Sequence, residues 1–277
     1  MSGKVSPLFH LFDQQYNEAK SCLGVLSKSF KSKKALELEE KLIFLNIYLH
    51  LLSKIHFTEE NLRFEPFDPF KMIGKALRRI RYYKLAIITY EAEKASSGLS
   101  YNTYDKFLTT EKNELYKEVY DIIITAPLDA WEPLYATAHH YSQNIKPMMM
   151  DTSAAKLINE EIEYLNYQEK DTRDSQSIKE IMEGLQTITA VENIKIAVGF
   201  NSMFTEDIHV EMKKLSQVMN KWFQNHLFGQ HLNYFLGEKE IVGTKYLELA
   251  KRIKTKKLRL TEEVVSLSQN LFVKWTF

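Results

Sequence analysis

The stretch Phe70–Tyr90, FKMIGKALRRIRYYKLAIITY, decides how the chain is read. At about 100° per residue, Ile73, Ala76, Leu77, Ile80, Tyr83 and Ile87 gather on one side of a helix. Lys71, Lys75, Arg78 and Tyr82 gather on the other, with Arg79 and Arg81 on its flanks. Six cations and no acid lie between Lys71 and Lys84. A helix that needs only solubility interleaves glutamate at i+4 and gains ion-pair support. This one does not, so its polar face carries an unneutralised positive field suited to a polyanion. A solvated basic face on a core helix is the plain alternative. Lys84 projects onto the apolar side, either snorkelling outward or aimed into an interior groove.

Outward from this helix the pattern stays helical. The chain has 277 residues, 44% hydrophobic, with only Gly 9 and Pro 6, a composition that favours helices over a turn-rich sheet. Apolar residues recur at helical spacing over Pro7–Phe30, Lys34–Ile55, Thr110–Ala126 and Ser153–Tyr167, and again after Ser177. Ser177-x-x-Glu180 has the form of a capping box. Thr58-Glu-Glu-Asn reads as a cap, and Pro66 and Pro69 impose an extended approach to the basic helix. Lys146-Pro147-Met-Met-Met reads as a break, Glu169–Ser175 as a loop, and Ile194–Phe200 as ambiguous between helix and strand. Thr205 or Asp207 caps a helix through Phe223, Gly237 closes it, and a helix through Tyr246, Leu249 and Ile253 follows. Thr261 with Glu262 and Glu263 caps a last one. The expectation is an all-α protein of about ten helices in two bundle halves, residues 1–150 and 151–277.

Composition narrows the function. The single cysteine, Cys22, excludes an internal disulfide and fits a cytoplasmic protein. The opening MSGKVSPLFHLF does not read as a signal peptide. The most apolar run, Leu42–Leu52, falls short of the ~20 residues of a membrane span. A net charge of +1 argues against a nucleic-acid coat and confines any anion site to a local patch. Glycine-rich phosphate loops, HExxH and CxxC are absent from the sequence. Glu206-x-x-His209 has the spacing of half a di-iron site but lacks its second copy. His139-His140 diverge, and His226 and His231 do not share a face, so the histidines are expected to be packed or at the surface. Cys22 has no identifiable base, and no acid–base–nucleophile set can be named, so the chain is expected to bind rather than catalyse. Lys251, Arg252, Lys254, Lys256, Lys257 and Arg259 form a second basic cluster, expected at a helix end, where cations offset the dipole.

Phe70-Lys71-x3-Lys75-x-Leu77-x2-Ile80 has an echo in Ile208-His209-x3-Lys213-x-Leu215-x2-Val218, with Ser216, Met219 and Asn220 where Arg78, Arg81 and Tyr82 would stand. The chain here resembles the conserved-histidine α-helical domain (CHAD) family, whose halves each carry His-x-x-Arg-Lys-x-x-Lys-x-x-Arg-Tyr. Lys75, Arg78, Arg81 and Tyr82 match the Lys, Lys, Arg and Tyr places. Lys71 stands in the histidine place and Gly74 in that of the first arginine. In the second half His209 and Lys213 fit and Met212 departs. The run Lys221–Leu232 resembles the family's Leu-Leu-Gly-(acid)-x-(His/Arg)-Asp stretch without its acids.

The resemblance implies two helical bundles with a basic groove between them that binds inorganic polyphosphate or a similar polyanion without catalysis. On this chain that site comprises Lys71, Lys75, Arg78, Arg79, Arg81 and Tyr82, faced by His209, Lys213 and Lys214. The rival reading is a protein–protein scaffold, its basic face meeting an acidic partner or the chain's own Glu160–Asp174.

Overall fold

The computed structural model describes residues 6–56, 65–167 and 174–275, so the expected cap at Thr58 and most of the loop at 169–175 lie outside the described residues. The described residues form nine α-helices and no strand: α1 Pro7–Leu26, α2 Ser32–Ile55, α3 Lys71–Ser97, α4 Asn102–Ile124, α5 Trp131–Tyr141, α6 Pro147–Tyr167, α7 Ser175–Ala197, α8 Glu206–Gly237 and α9 Thr244–Trp275. The all-α expectation holds.

Several ends differ from expectation for local reasons. Pro147 opens α6 rather than breaking the chain, as its fixed φ and missing N–H allow in a first turn. At α7 the cap is Asp174, whose carboxylate accepts from the backbone N–H of Gln176 at 2.7 Å and Ser177 at 3.1 Å. Ser177 therefore sits inside the helix and is not the cap. The 194–200 run is helical to Ala197 and turns at Gly199, whose φ of +97° suits a residue without a side chain. The two helices expected after Gly237 are one. No Gly or Pro falls within α9, and Tyr246, Leu249, Ile253, Leu260, Val264 and Leu271 keep one buried stripe along it. Thr261 does not cap; its Oγ1 accepts the indole N–H of Trp222 at 2.9 Å.

The chain packs as two compact units. Unit 1 takes residues 1–80, 116–163 and 186–203; unit 2 takes 81–115, 164–185 and 204–277. Helices α3, α4, α6 and α7 each belong in part to both.

Unit 1 is built on α1, which packs against α2 and α5. Ser6 caps α1 by accepting from the Phe9 N–H, and Pro7 fills its first position. Phe12 and Tyr48 are fully buried in ring contact at 4.9 Å, and Phe70 meets Trp131 edge-on at 4.7 Å. Each such ring contributes roughly 1.5–3 kcal/mol over its exposed state. The buried hydroxyls find partners, Tyr16 donating to the Trp131 carbonyl at 3.0 Å and Tyr48 meeting Ser142 at 2.6 Å.

Unit 2 is held by a tyrosine-rich core of Tyr90, Tyr101, Tyr104, Phe228, Phe235 and Tyr246. Tyr90 donates to Asp105 at 2.6 Å, and Lys94 pairs with the same carboxylate at 3.0 Å. Burial alone raises the Asp105 pKa, but these two donors outweigh it and hold the group below its ordinary value.

Candidate functional site

Helix α3 has the two faces its sequence implies. Ile73, Ala76, Leu77 and Ile80 are buried, while Lys71, Lys75, Arg78 and Arg79 are exposed and Lys84 is half-buried. Its first turn carries no acid, and Lys71 and Lys75 sit toward its N-terminal end. The helix dipole is positive there, so cations cost stability and their field adds to that of the backbone N–H groups. A helix shaped by stability alone places acids at this end.

The exposed cations divide by what they touch. Arg79 is committed: its guanidinium holds both Glu118 oxygens, at 2.5 and 2.8 Å, which keeps that carboxyl below its usual range. Lys71 pairs with Asp68 one turn before it. Lys75 and Arg78 make no ion pair among the described residues. Lys71, Lys75 and Arg78 line one pocket of about 390 Å³ in unit 1, with Leu42 of α2 and Phe67 and Phe70 of the preceding turn as its apolar wall. Glu39 of α2, 2% exposed, also lines it, so the lining sets three cations against one carboxylate. The sequence signal for Glu39 was a charge within the buried stripe Ala35, Leu38, Leu42.

The remaining expected residues belong to unit 2. Arg81 is half-buried with its guanidinium over the Tyr82 ring at 5.5 Å, and Tyr82 packs edge-on against Phe223 at 5.1 Å. His209 lies edge-on to Phe204, and Lys213 and Lys214 are exposed near the start of α8. Of the acidic 160–174 segment, Glu160 pairs with Lys54 at 2.7 Å.

The second basic cluster is not at a helix end. Residues 251–259 lie in the middle of α9, so the dipole does not account for them. They split by face. Lys256 and Arg252 turn to Glu93, at 3.0 and 3.8 Å. Lys251, Lys254 and Lys257, three residues apart, line a cleft of about 550 Å³ with Asn225, His226 and Gly229 of α8. A side chain at Gly229 would press within 3.3 Å of Ile253, so glycine there permits the close approach of α8 and α9. Asn225 is not singled out by the sequence, and His226 is expected there only as a packed or surface histidine. Their signal was a polar pair in the apolar α8 series Leu215, Met219, Trp222, Leu232.

His10 and His140 are exposed, and the other six histidines are buried or half-buried. His226 stacks on Trp222 at 4.9 Å and 8°, and burial together with Lys257 and Lys179 pushes its pKa down to about 4. His231 pairs with Glu111 through Nε2 and meets the Tyr104 hydroxyl through Nδ1 at 2.7 Å. Among the described residues, no group of three or more His, Cys, Asp or Glu side chains is gathered as metal ligands, and no helix is long and apolar enough to cross a membrane.

Comparison of the chain with protein-family models, with curated proteins and with solved structures returned no match.

Proposed function

We propose that this protein binds a phosphorylated polyanion, with inorganic polyphosphate as the reference ligand, on the exposed basic face of α3. The observation that carries the reading is the convergence of Lys71, Lys75 and Arg78 on one pocket at the positive end of the helix, with Lys75 and Arg78 free of ion pairs among the described residues. Arginine there serves as a planar fork for phosphate oxygens and lysine as a point charge. Arg79 serves the fold through Glu118. Arg81, Tyr82, His209, Lys213 and Lys214 are assigned no part in the unit 1 pocket. Binding is non-catalytic and cytoplasmic in this reading, consistent with one buried, unpaired thiol at Cys22.

The test is calorimetric titration with long-chain polyphosphate, with orthophosphate as control, on the native chain and on Lys75→Ala/Arg78→Ala. Two lost phosphate contacts should flatten the logarithmic salt dependence by about two contacts' worth and lower affinity at least about tenfold. Unchanged affinity and slope in the double variant would remove α3 as the site.

A further inference from the structure

We propose that the cleft between α8 and α9 in unit 2 is a second, independent site that takes a small phosphorylated polyol. Its phosphate would rest on Lys251, Lys254 and Lys257 and its hydroxyls on Asn225 and His226.

The charge comes first. Three lysines spaced i, i+3 and i+6 on α9 face one cleft, and no acid among the described residues lines it. The neighbouring Arg252 and Lys256 show what α9 does with cations that have a structural task, since both turn to Glu93. Lys257 instead donates to a neutral group, the Ser175 hydroxyl, at 2.8 Å. Its pKa is lowered by burial and by nearby Lys179, so this ammonium is partly desolvated and crowded by a second cation. An anion relieves that crowding.

The polar floor says which kind of anion. Asn225 is 1% exposed, and its Nδ2 donates to the Ile253 carbonyl at 3.0 Å. That bond fixes the amide orientation and leaves Oδ1 as a buried acceptor with no hydrogen-bond partner among the described residues. His226 is 6% exposed, and its Nε2 is likewise buried without a hydrogen-bond partner. Buried polar atoms left unmet are costly and call for an occupant. Oδ1 needs a donor, and a fully ionised phosphate chain offers none, whereas a hydroxyl does. A hydroxyl can meet the imidazole Nε2 in either tautomer, donating to its lone pair or accepting its N–H. The volume of about 550 Å³ falls within the range of small-ligand sites. The site therefore differs in chemistry from the α3 pocket and does not rest on it.

The test is calorimetry with glucose 6-phosphate, inorganic phosphate and glucose, and flotation with vesicles carrying phosphatidylinositol 4-phosphate. Glucose 6-phosphate should bind at least about tenfold tighter than either fragment, because it alone engages both the lysines and the polar floor. Lys251→Gln/Lys254→Gln, both exposed and without a hydrogen bond or ion pair among the described residues, should weaken it by about tenfold while leaving the melting temperature in place. His226→Phe, which keeps the stack on Trp222, should bring glucose 6-phosphate down toward inorganic phosphate. Lys75→Ala/Arg78→Ala should change nothing here, which separates this site from the α3 reading. Vesicle capture through the same lysines would identify a lipid headgroup as the source, and binding of the soluble ester alone a free sugar phosphate. No binding, equal binding of glucose 6-phosphate and phosphate, or indifference to the lysine pair would leave a water-filled cleft only and overturn the proposal.

Discussion

Replacing Gly74 by alanine and by arginine separates the stability of α3 from its charge. Gly74 is the fourth residue of α3, and a Cβ there would meet nothing within 4 Å among the described residues. Glycine within a helix costs about 0.5–1 kcal/mol relative to alanine, so Gly74→Ala should stabilise the protein by about that amount. For a chain of this size the corresponding rise in melting temperature is about 2 °C. Gly74→Arg gains the same backbone term but loses most of it. A cation in the first turn opposes the dipole by about 0.3–1 kcal/mol, and the like charge of Arg78 at i+4 removes a few tenths more. Its stability should therefore stay near that of the native chain.

Binding should respond in the opposite order. Arginine at 74 adds a cation to the rim already formed by Lys71, Lys75 and Arg78. One more phosphate contact should raise polyphosphate affinity by up to about tenfold at low salt and steepen the logarithmic salt slope by about one. Gly74→Ala should leave both unchanged. Urea melts measure the stabilities, and polyphosphate titrations at two salt concentrations measure affinity and slope. A loss of stability of about 1 kcal/mol in the alanine variant would show that the space beside Gly74 is filled. A stable arginine variant with native affinity and slope would refute the placement of the polyanion at this pocket.

Arg79→Ala should cost at most about 1 kcal/mol, as a half-exposed pair does, and change polyphosphate affinity by less than about twofold because Glu118 already holds the guanidinium. A loss as large as that of the Lys75/Arg78 pair would return Arg79 to the site. His226 should make the protein acid-sensitive. Between its ordinary value of 6.5 and its folded value of about 4 the unfolded chain binds a proton that the folded chain refuses, so stability falls as pH drops through that window. The loss is about 3 kcal/mol at most, and His226→Phe should flatten this part of a pH–urea stability curve. An unchanged curve would mean that the ring is charged in the folded state.

The helical character of the chain was legible because scarce Gly and Pro and a 3–4 apolar repeat report directly on local geometry. Where reading by local signals failed, a tertiary contact had claimed the signal. Thr261 looked like a cap, but its hydroxyl serves Trp222, and the unbroken stripe of α9 outweighs the cap pattern. Ser177 looked like half of a capping box, but the stronger acceptor Asp174 lay three residues upstream. The basic face of α3 was visible because its members share one helix. The pairing of Arg79 with Glu118 was not, since it joins residues 39 apart in sequence. The α8–α9 cleft was hidden for the same reason. Its lysines were visible as a cluster and its Asn225 and His226 as individual polar residues, but only packing brings them together. The sequence division at residue 150 concerns a repeat, whereas the compact units concern packing, and one does not bear on the other.

The interleaving of the units bears on synthesis. Unit 1 draws its last segment from residues 186–203, and unit 2 from 204–277. A nascent chain therefore carries the first 80 residues, with their buried Phe12, Tyr48 and Phe70 surfaces, for most of translation before either unit can be completed. Long separations of this kind slow folding, because loop-closure entropy is lost before the contacts form. They also mean that neither unit is a contiguous fragment. A cut at Ile80–Arg81, Leu115–Tyr116, Glu163–Tyr164 or Leu185–Gln186 falls inside a helix and severs its backbone ladder. A fragment that ends at any of these four boundaries carries a truncated helix.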